Sequence, residues 1–517
     1  TGISLKIVSV KEMQWLEEFA VAGGSSTDQL IDRAGNSIAK AIRGILGRVT
    51  NRRILFLVGP GNNGSDGLVS AGILSKWGGK VIAYVLTKRS KHDNRVDLAT
   101  KEQVTVIPAA LDPGLKNLKL EIQRSDIIID AVLGTGQNRP LTGVIKKAMS
   151  MLDGRKGLLA SVDVPTGTNA DTGIKVGCSP KPDIIMALGN PKIGIFKIPQ
   201  MANSGALKVL DIGIPSMADR FINSQLLDDS WIKEHLPVRP VSGHKGTFGH
   251  ALIIGGSNNY PGAASLAAKS AMRSGSGLVT LAFPRTIQPL LTEKLIEAIQ
   301  FPLDIDSNGE LGSESAPSLR LALNRYSSIA VGPGMGFSIP SSRFMEELFF
   351  KGTYQRQTLV IDADGLNNLN YIDKWHDRAR FSLVLTPHTG EMARLTNLSV
   401  DEIKDNRIEI ARTWSKIWKA IVVLKGAYTI VATPRGKVFV NPFANPILST
   451  GGTGDVLTGI ISGLIAQGLS GENASCCGVY IHGLAAEKIG ANIGDRGLVA
   501  TDIIEDIPNT IKTLINK

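Results

Sequence analysis

Two successive α/β blocks, each built on a mostly parallel sheet with helices on both faces, are the fold class that this sequence predicts. Three observations lead there. Short apolar runs of strand length alternate with stretches whose apolar residues recur at helical spacing, the pattern of repeated βαβ units. The 517-residue chain is too long for one ordinary core, and its 56 glycines suit many tight strand-to-helix turns. Residues 216–239, ending in "DDSWIKEHLPVR", mix charges and prolines without a sustained period, so they read as a linker between blocks at 1–215 and 240–517.

In the first block, helical patterns near residues 10–47 precede a strand at 53–58, "RILFLV". Further strands are expected at 80–86, 104–107, 126–133, 158–163, 183–188 and 206–211. The second block should place strands at 250–255, 278–282, 328–331, 358–362, 382–386, 420–424, 428–432 and 437–440. Its last two helices are expected near 454–468 and 472–493, each after a glycine-rich loop.

Composition narrows the function classes. With 43% hydrophobic and 20% charged residues the chain is globular, and its formal charge of +11 is scattered instead of gathered in Lys/Arg blocks. Nucleic acid is therefore not expected as a partner, whereas acidic small molecules would benefit from that field. Cys178, Cys476 and Cys477 show no C-x-x-C spacing, which argues against a disulfide framework or a zinc site. No apolar run approaches the roughly 20 residues of a membrane span. A cytoplasmic protein with no membrane partner, assembled as a homo-oligomer, is the expectation.

The loop "GPGNNGSDGL" spells G-x-G-x-x-G at Gly59, Gly61 and Gly64, where backbone N–H groups can face an anion at a helix start. An ordinary redox fingerprint also wants an acidic residue at the end of the second strand. That strand, "KVIAYVLTKR", ends in Thr87, Lys88 and Arg89, so the redox reading is disfavoured. Two more polar loops follow strands: "DAVLGTGQNRPLTG", with Asp130 expected at a strand tip, and "SVDVPTGTNADTG", with Asp163 and Thr166. Each aspartate alone could simply cap a helix. Three such loops together favour a site.

The strongest signal of the second block is "STGGTGDVLTG". Gly451, Gly452, Thr453 and Gly454 crowd the start of an apolar helix, and Asp455 follows. The carboxylate could stabilise the helix start, worth about 0.3–1 kcal/mol. It could equally be a base beside an anion hole, the arrangement that deprotonates an alcohol during phosphoryl transfer. The crowding of glycines favours the base. "GGSNNYPGAA", "VGPGMG", "IDADGLN", "LTPHTGEMARL" and "VLKGAYTIV" complete the cleft.

Across residues 10–215, "GPGNNGSDGL", "DAVLGTGQNRPLTG", "VDVPTGTNADTG" and "GNPKIGIF" together resemble the NAD(P)H-hydrate epimerase domain. The resemblance implies an N-terminal Rossmann-like three-layer domain that binds hydrated NADH or NADPH (NADHX, NADPHX) as a substrate for repair, with K+ nearby. It places Asn62, Asn63, Gly64, Ser65 and Asp66, with Gly134, Thr135, Gly136, Gln137, Asn138, Arg139, Pro140 and Asp163, around the hydrate. Asn63, Asp130 and Thr166 would bind potassium; Asp130 and then Lys192 are the candidates for acid–base catalysis of epimerisation. The family's loop normally reads N-N-G-G-D, so Ser65 replaces a glycine, a change that matters only where positive φ is required.

Residues 240–517 resemble the ADP-dependent NAD(P)H-hydrate dehydratase of the ribokinase-like superfamily, which implies a C-terminal ribokinase-like α/β domain. The implied reaction moves a phosphoryl group from ADP, aided by Mg2+, to the hydrate's hydroxyl; phosphate then leaves and the ring is restored. Bacterial and archaeal members imply ADP as donor, eukaryotic members ATP. Asp455 would be the base, in contact with the hydrate that Ala263, Gly334 and His388 position. Lys425, Gly426, Ala427, Tyr428, Thr429 and Gly454 would contact the nucleotide. Thr389 stands where the family usually has proline. The competing readings are a hydroxymethylpyrimidine-type small-molecule kinase, which shares the "GTGD" loop, and an idle nucleotide-binding module. The epimerase-like block and "TPHTGE" argue against the first, and the acidic residues in both blocks against the second.

Overall fold

A computed structural model describes residues 5–89, 94–197, 206–306, 309–351 and 357–516. The chain divides into two compact units, Lys6–Ile222 and Asn223–Lys517; Leu5 belongs with the second, where its carbonyl accepts from the Leu226 amide at 2.8 Å.

In the first unit the strands are β1 (Arg53–Val58), β2 (Lys80–Val85), β3 (Thr105–Pro108), β4 (Ile127–Ala131), β5 (Leu158–Val162), β6 (Ile184–Leu188) and β7 (Ala206–Leu210). They form one parallel sheet in the order β3-β2-β1-β4-β5-β6-β7, and each matches an expected run to within two residues at its ends. Ile54 to Val58 are buried on both faces of the sheet, as an unbroken apolar run requires when helices cover both sides. One face packs on Ile38 and Ile42 of the helix Thr27–Leu46 and on Leu68 and Leu74 of Asn62–Lys76. The other packs on Leu118, Ile122, Ala148 and Met149. This is a Rossmann-like three-layer domain. The strand order reverses between β1 and β4, which opens a crevice beyond their carboxyl ends. There the backbones nearly touch: a Cβ on Gly59 would lie 1.8 Å from the Val132 carbonyl oxygen.

The second unit contains β8 (Ser224–Leu226), β9 (His250–Ile254), β10 (Leu278–Pro284), β11 (Ile299–Leu303), β12 (Ser328–Val331), β13 (Thr358–Ile361), β14 (Ser382–Leu385), β15 (Ile421–Leu424), β16 (Ile430–Ala432) and β17 (Val438–Val440). Their order is β11-β10-β9-β12-β13-β14-β15-β16-β17-β8, parallel except where β16 pairs antiparallel with its two neighbours. The domain is α/β, a mostly parallel sheet flanked by helices. Its order reverses between β9 and β12, and a Cβ on Gly255 would again come within 2.3 Å of a carbonyl oxygen, that of Pro333.

Several elements differ from expectation. Residues 216–239 carry a 3-10 helix (Ser216–Phe221), β8 and the helix Asp229–His235, capped by the Asp228 carboxylate on the Trp231 amide at 2.8 Å. The three-residue β8 shows no alternation of its own and exists through its pairing with β17. Pro302 hides β11, which tolerates a missing N–H because it forms the sheet edge. A further helix, Ala500–Asn516, contains Pro508 and buries Ile503, Ile504, Ile507 and Leu514. No helix among the described residues is long and apolar enough to cross a membrane.

The helix Thr453–Ala466 is held against Pro261–Arg273 by small residues; a Cβ on Gly459 would fall 1.9 Å from Ser270 Oγ and 2.0 Å from the Ala267 carbonyl oxygen. Since this helix starts with the Asp455 loop, the contact sets the position of that loop. Gly459→Ala should therefore destabilise the protein by about 1–3 kcal/mol through overpacking, read as a lowered thermal midpoint. An unchanged midpoint would show that the two helices do not approach this closely.

Candidate active sites

The crevice of the first unit is a cavity of about 360 Å³. Pro60, Gly61, Asn62, Asn63 and Asp66 line it after β1, and Val132, Leu133, Gly134, Thr135, Gly136 and Gln137 after β4. Asp163 and Lys192 enter from the other side, and Glu17, Thr27, Leu30, Ile31 and Ala34 come from the two N-terminal helices. The helix Asn62–Lys76 begins at Gly61 with no side-chain cap, leaving its first N–H groups available to an anion. Ser65 lies inside this helix and outside the positive-φ residues, so replacing the family's glycine carries no left-handed strain. Its Oγ accepts from Arg89 Nη2 at 2.6 Å, and the same guanidinium donates to the Gly59 and Gly61 carbonyls. An arginine thus clamps the loop from the position where the redox fingerprint carries an acid.

Asp130 departs from its expected place at a strand tip. It lies within β4, opposite Leu57 and Ser161 in the register, and is fully buried outside the residues lining the cavity. The reason is the strand's length: pairing continues through Ala131. Thr166 donates to it twice, from Oγ1 at 2.6 Å and from the backbone N at 2.9 Å, and Ser161 Oγ donates at 3.0 Å. Burial pushes its pKa up against those hydrogen bonds. Both polar atoms of the Asn63 amide, across the loop from Gly134, are buried without a hydrogen-bond partner among the described residues. A buried carboxylate, an orphaned amide oxygen and a hydroxyl are a donor set suited to a hard cation.

Lys192 is buried. Its Nζ donates to Asp163 Oδ1 at 2.5 Å and to the Leu188 carbonyl at 2.9 Å, and Asp163 also accepts from the Leu188 amide at 3.2 Å. Asp163 holds this position with φ of 66°, a strained backbone for a non-glycine residue. Asp66 is 6% exposed and makes no side-chain hydrogen bond among the described residues; burial, then Asp163 and Glu17, push its pKa well up. Gly64 and Ser65 are buried behind the lining, and Asn138, Arg139 and Pro140 lie outside it, Asn138 being tied to Asn169 Nδ2 at 3.0 Å. Glu17 had no signal in the sequence, since one glutamate on an amphipathic helix reads as surface.

In the second unit the loops after β9, β12, β13, β14 and β15 meet the start of Thr453–Ala466. Lys425, just beyond β15, donates to Asp362 Oδ1 at 2.7 Å and stands 3.7 Å from Glu391 Oε2. Thr458 Oγ1 donates to the other Asp362 oxygen at 2.6 Å. Gly454 packs beside this pair, a Cβ there falling 3.5 Å from Lys425 Nζ. Asp455 is pushed up to about 7 by burial and by the neighbouring Asp362, with smaller pushes from Asp364 and Glu391 and only Lys425 in opposition. Burial also raises Glu391. Gly452 takes φ of 88° at the cap, the turn that aims the N–H groups of the helix start.

His388 is built into a helix cap. Its Nδ1 accepts from the amides of Gly390 and Glu391 at 2.9 and 3.2 Å, and Glu391 returns a carboxylate to the His388 amide at 2.7 Å. This reciprocal box closes the loop with Thr389 at the position usual for proline. Ala263 and Gly334 come together, a Cβ on Gly334 falling 2.9 Å from that of Ala263. The Gly336 amide donates to Asp364 at 3.0 Å, joining their loop to the acidic cluster. Arg407 was missed by sequence: its guanidinium donates to the carbonyls of Leu424, Lys425 and Ala427 and braces the 425–429 loop.

The family described as NAD(P)H-hydrate dehydratase matches residues 251–509, and that described as YjeF-related protein N-terminus matches residues 27–194. The bifunctional NAD(P)H-hydrate repair enzyme of Moorella thermoacetica is 35% identical over 492 residues, covering 94% of this chain and 92% of that protein. That of Thermofilum pendens is 33% identical over 524 residues, covering 99% and 97%. A solved ADP/ATP-dependent NAD(P)H-hydrate dehydratase from Bacillus subtilis, co-crystallised with ATP and Mg2+, is 30% identical with a TM-score of 0.49, covering 56% of this chain and 97% of that one.

Proposed function

The chain belongs to the family of bifunctional NAD(P)H-hydrate repair enzymes, and we propose that its first unit interconverts the R and S hydrates of NADH and NADPH while its second dehydrates the S form with ADP. The observation that carries this reading is the presence of two differently equipped crevices in one chain. The first sets free carboxyl groups beside an immobilised lysine; the second sets a carboxylate of raised pKa beside a glycine-lined helix start.

Hydration of a dihydropyridine adds water to an enamine, so the hydroxyl resides on the carbon next to the ring nitrogen. Epimerisation exchanges that hydroxyl with water from the opposite face, which needs proton donation to the departing oxygen and proton removal from the entering one. Asp66, whose pKa burial and the neighbouring Asp163 and Glu17 push well up, is placed to donate. Lys192, locked to Asp163, provides a fixed positive charge for substrate oxygens. Asp130 serves as a buried anchor and not as the proton carrier. Asn63, Asp130 and Thr166 would hold K+, which would supply a fixed positive charge when bound.

In the second unit Asp455 removes the proton of the hydrate's hydroxyl as that oxygen attacks the terminal phosphorus of ADP, and AMP leaves. Phosphate then departs with the carbon–oxygen bond, and loss of a proton from the adjacent carbon restores the double bond. The N–H groups at the helix start and Lys425 stabilise charge on the transferring group. Among the described residues no cluster of three acidic, histidine or cysteine side chains forms a metal cage, so Mg2+ would arrive with the nucleotide's phosphates. The 425–429 loop carries the adenine nucleotide, and Ala263, Gly334 and His388 shape the hydrate pocket.

The direct test is chemically hydrated NADH with ADP, following absorbance of the restored ring and production of AMP and phosphate. A stable phosphorylated product without ring restoration would favour the small-molecule kinase. Asp455→Asn should fold and still epimerise but restore NADH about 10²–10⁴-fold more slowly. The base works ionised, so the wild-type rate should climb with pH through about 7 and the variant should lose that rise. Near wild-type dehydration by the variant would make Asp455 a helix cap only. Replacing K+ by tetramethylammonium should lower the melting temperature, corresponding to about 1–3 kcal/mol of lost ligand stabilisation, and Asn63→Ala should abolish the difference between the salts. Equal melting of the wild type in both salts would remove the cation assignment.

A further inference from the structure

The acid–base chemistry of the first unit is incomplete with one donor. Exchange of a hydroxyl for water with inversion requires a proton acceptor facing the ring side opposite the donor, and the carboxylates around the cavity differ sharply in their availability. Both oxygens of Asp130 are occupied by Thr166 and Ser161, and the residue does not reach the cavity. Asp163 is held by Lys192 and the Leu188 amide. Only Glu17 and Asp66, among the described carboxylates lining the cavity, make no hydrogen bond or ion pair. Asp66 comes from the glycine-loop helix and is nine-tenths buried; Glu17 comes from the separate helix Val10–Ala22 and is exposed.

We propose that Glu17 is a catalytic residue of epimerisation, the base that works opposite Asp66. The proposal rests on the epimerase reading of this unit. In one direction the Asp66 carboxyl gives its proton to the leaving hydroxyl. The carbon–oxygen bond breaks to release water, and the ring nitrogen's lone pair forms a carbon–nitrogen double bond. A second water adds to the other face of that carbon, the nitrogen regains its pair, and Glu17 takes the proton released by the entering water. Solvent resets the two carboxyl groups, and in the reverse direction their roles exchange.

The electrostatics agree with this division. Asp66 is pushed well up by burial and by Asp163 and Glu17, with Arg95 and Lys192 opposing. Glu17 is raised by burial and Asp163 and lowered by Lys192, and its exposure lets water screen that push. Burial raises both carboxyl groups and raises Asp66 the further, so Asp66 is the better suited of the two to give a proton and Glu17 to take one.

The test measures initial rates of R-to-S conversion by the full-length protein in saturating K+ across pH, corrected for uncatalysed exchange. Glu17→Gln should lower kcat about 100-fold with little change in KM, and the acidic limb of the kcat profile should disappear. Glu17→Asp should restore part of the rate and the limb. Dehydration of the S hydrate with ADP should be unchanged, and the R hydrate should still raise the melting temperature of Glu17→Gln. A kcat within threefold of wild type, or an acidic limb that survives the substitution, overturns the proposal. So does a lost hydrate-induced melting shift, which would make Glu17 a binding residue. Absence of epimerisation in the wild type would instead overturn the reading of the unit itself.

Discussion

The site-bearing architecture depends on a steric constraint: at each point where a parallel sheet reverses its strand order, two loops pass closer than a side chain allows. Gly59 meets the Val132 carbonyl in the first unit and Gly255 meets that of Pro333 in the second, with no room for a Cβ at either place. The close pass holds the two loops beside the start of the next helix, so helix-start N–H groups and strand-end side chains converge on one volume. Packing elsewhere preserves that arrangement. The small-residue contact at Gly459 fixes the angle at which the second unit's anion-binding turn is presented.

Onto these frames the chain places charge where solvation is poor. Asp163–Lys192 and Asp362–Lys425 are both salt bridges in which the carboxylate and lysine have little solvent access. Such pairs contribute less to stability than their short distances suggest, because desolvation offsets much of the attraction. Their value lies in geometry: Asp163 is held by the pairing at a backbone angle costly for a residue with a side chain, and Ala363, between Asp362 and Asp364, is held at φ of 48°. Strained positions flank acidic residues in both units, where a slack backbone would let the carboxylate turn away.

Much of the sheet arrangement was legible because buried parallel strands are unbroken apolar runs, and their loops advertise themselves by glycine. The exceptions have local causes. β8 is too short to show a period, and β11 contains a proline that only an edge position tolerates. For the sites, the loops were legible but the reach of each side chain was not. Asp130 reads as a strand tip, yet pairing through Ala131 turns it inward. Lys192 stands in the sequence only as a catalytic candidate, and nothing there shows that it is 1% exposed, with Asp163 and the Leu188 carbonyl satisfying its ammonium group. Glu17 and Arg407 were invisible for a shared reason: each acts across a distance in sequence from a helix with no motif of its own, and only the fold supplies its neighbours.

The two crevices show how one backbone device separates two chemistries by the pairing of its carboxylates. In the first, Asp163 is occupied by lysine while Asp66 and Glu17 have no hydrogen-bond or ion-pair partner among the described residues, leaving groups able to carry protons in a cavity whose fixed charge is already compensated. In the second, Lys425 lies between Asp362 and Glu391, and the acidic neighbours raise Asp455 beside a turn of backbone donors. A group of raised pKa is a stronger base once ionised, and the adjacent N–H groups favour negative charge on what it attacks with and what it releases. Water exchange needs paired proton carriers and little charge stabilisation; phosphoryl transfer needs one base and much positive potential. The distribution of hydrogen bonds among the carboxylates, more than the glycine loops the units share, is what assigns each reaction to its unit.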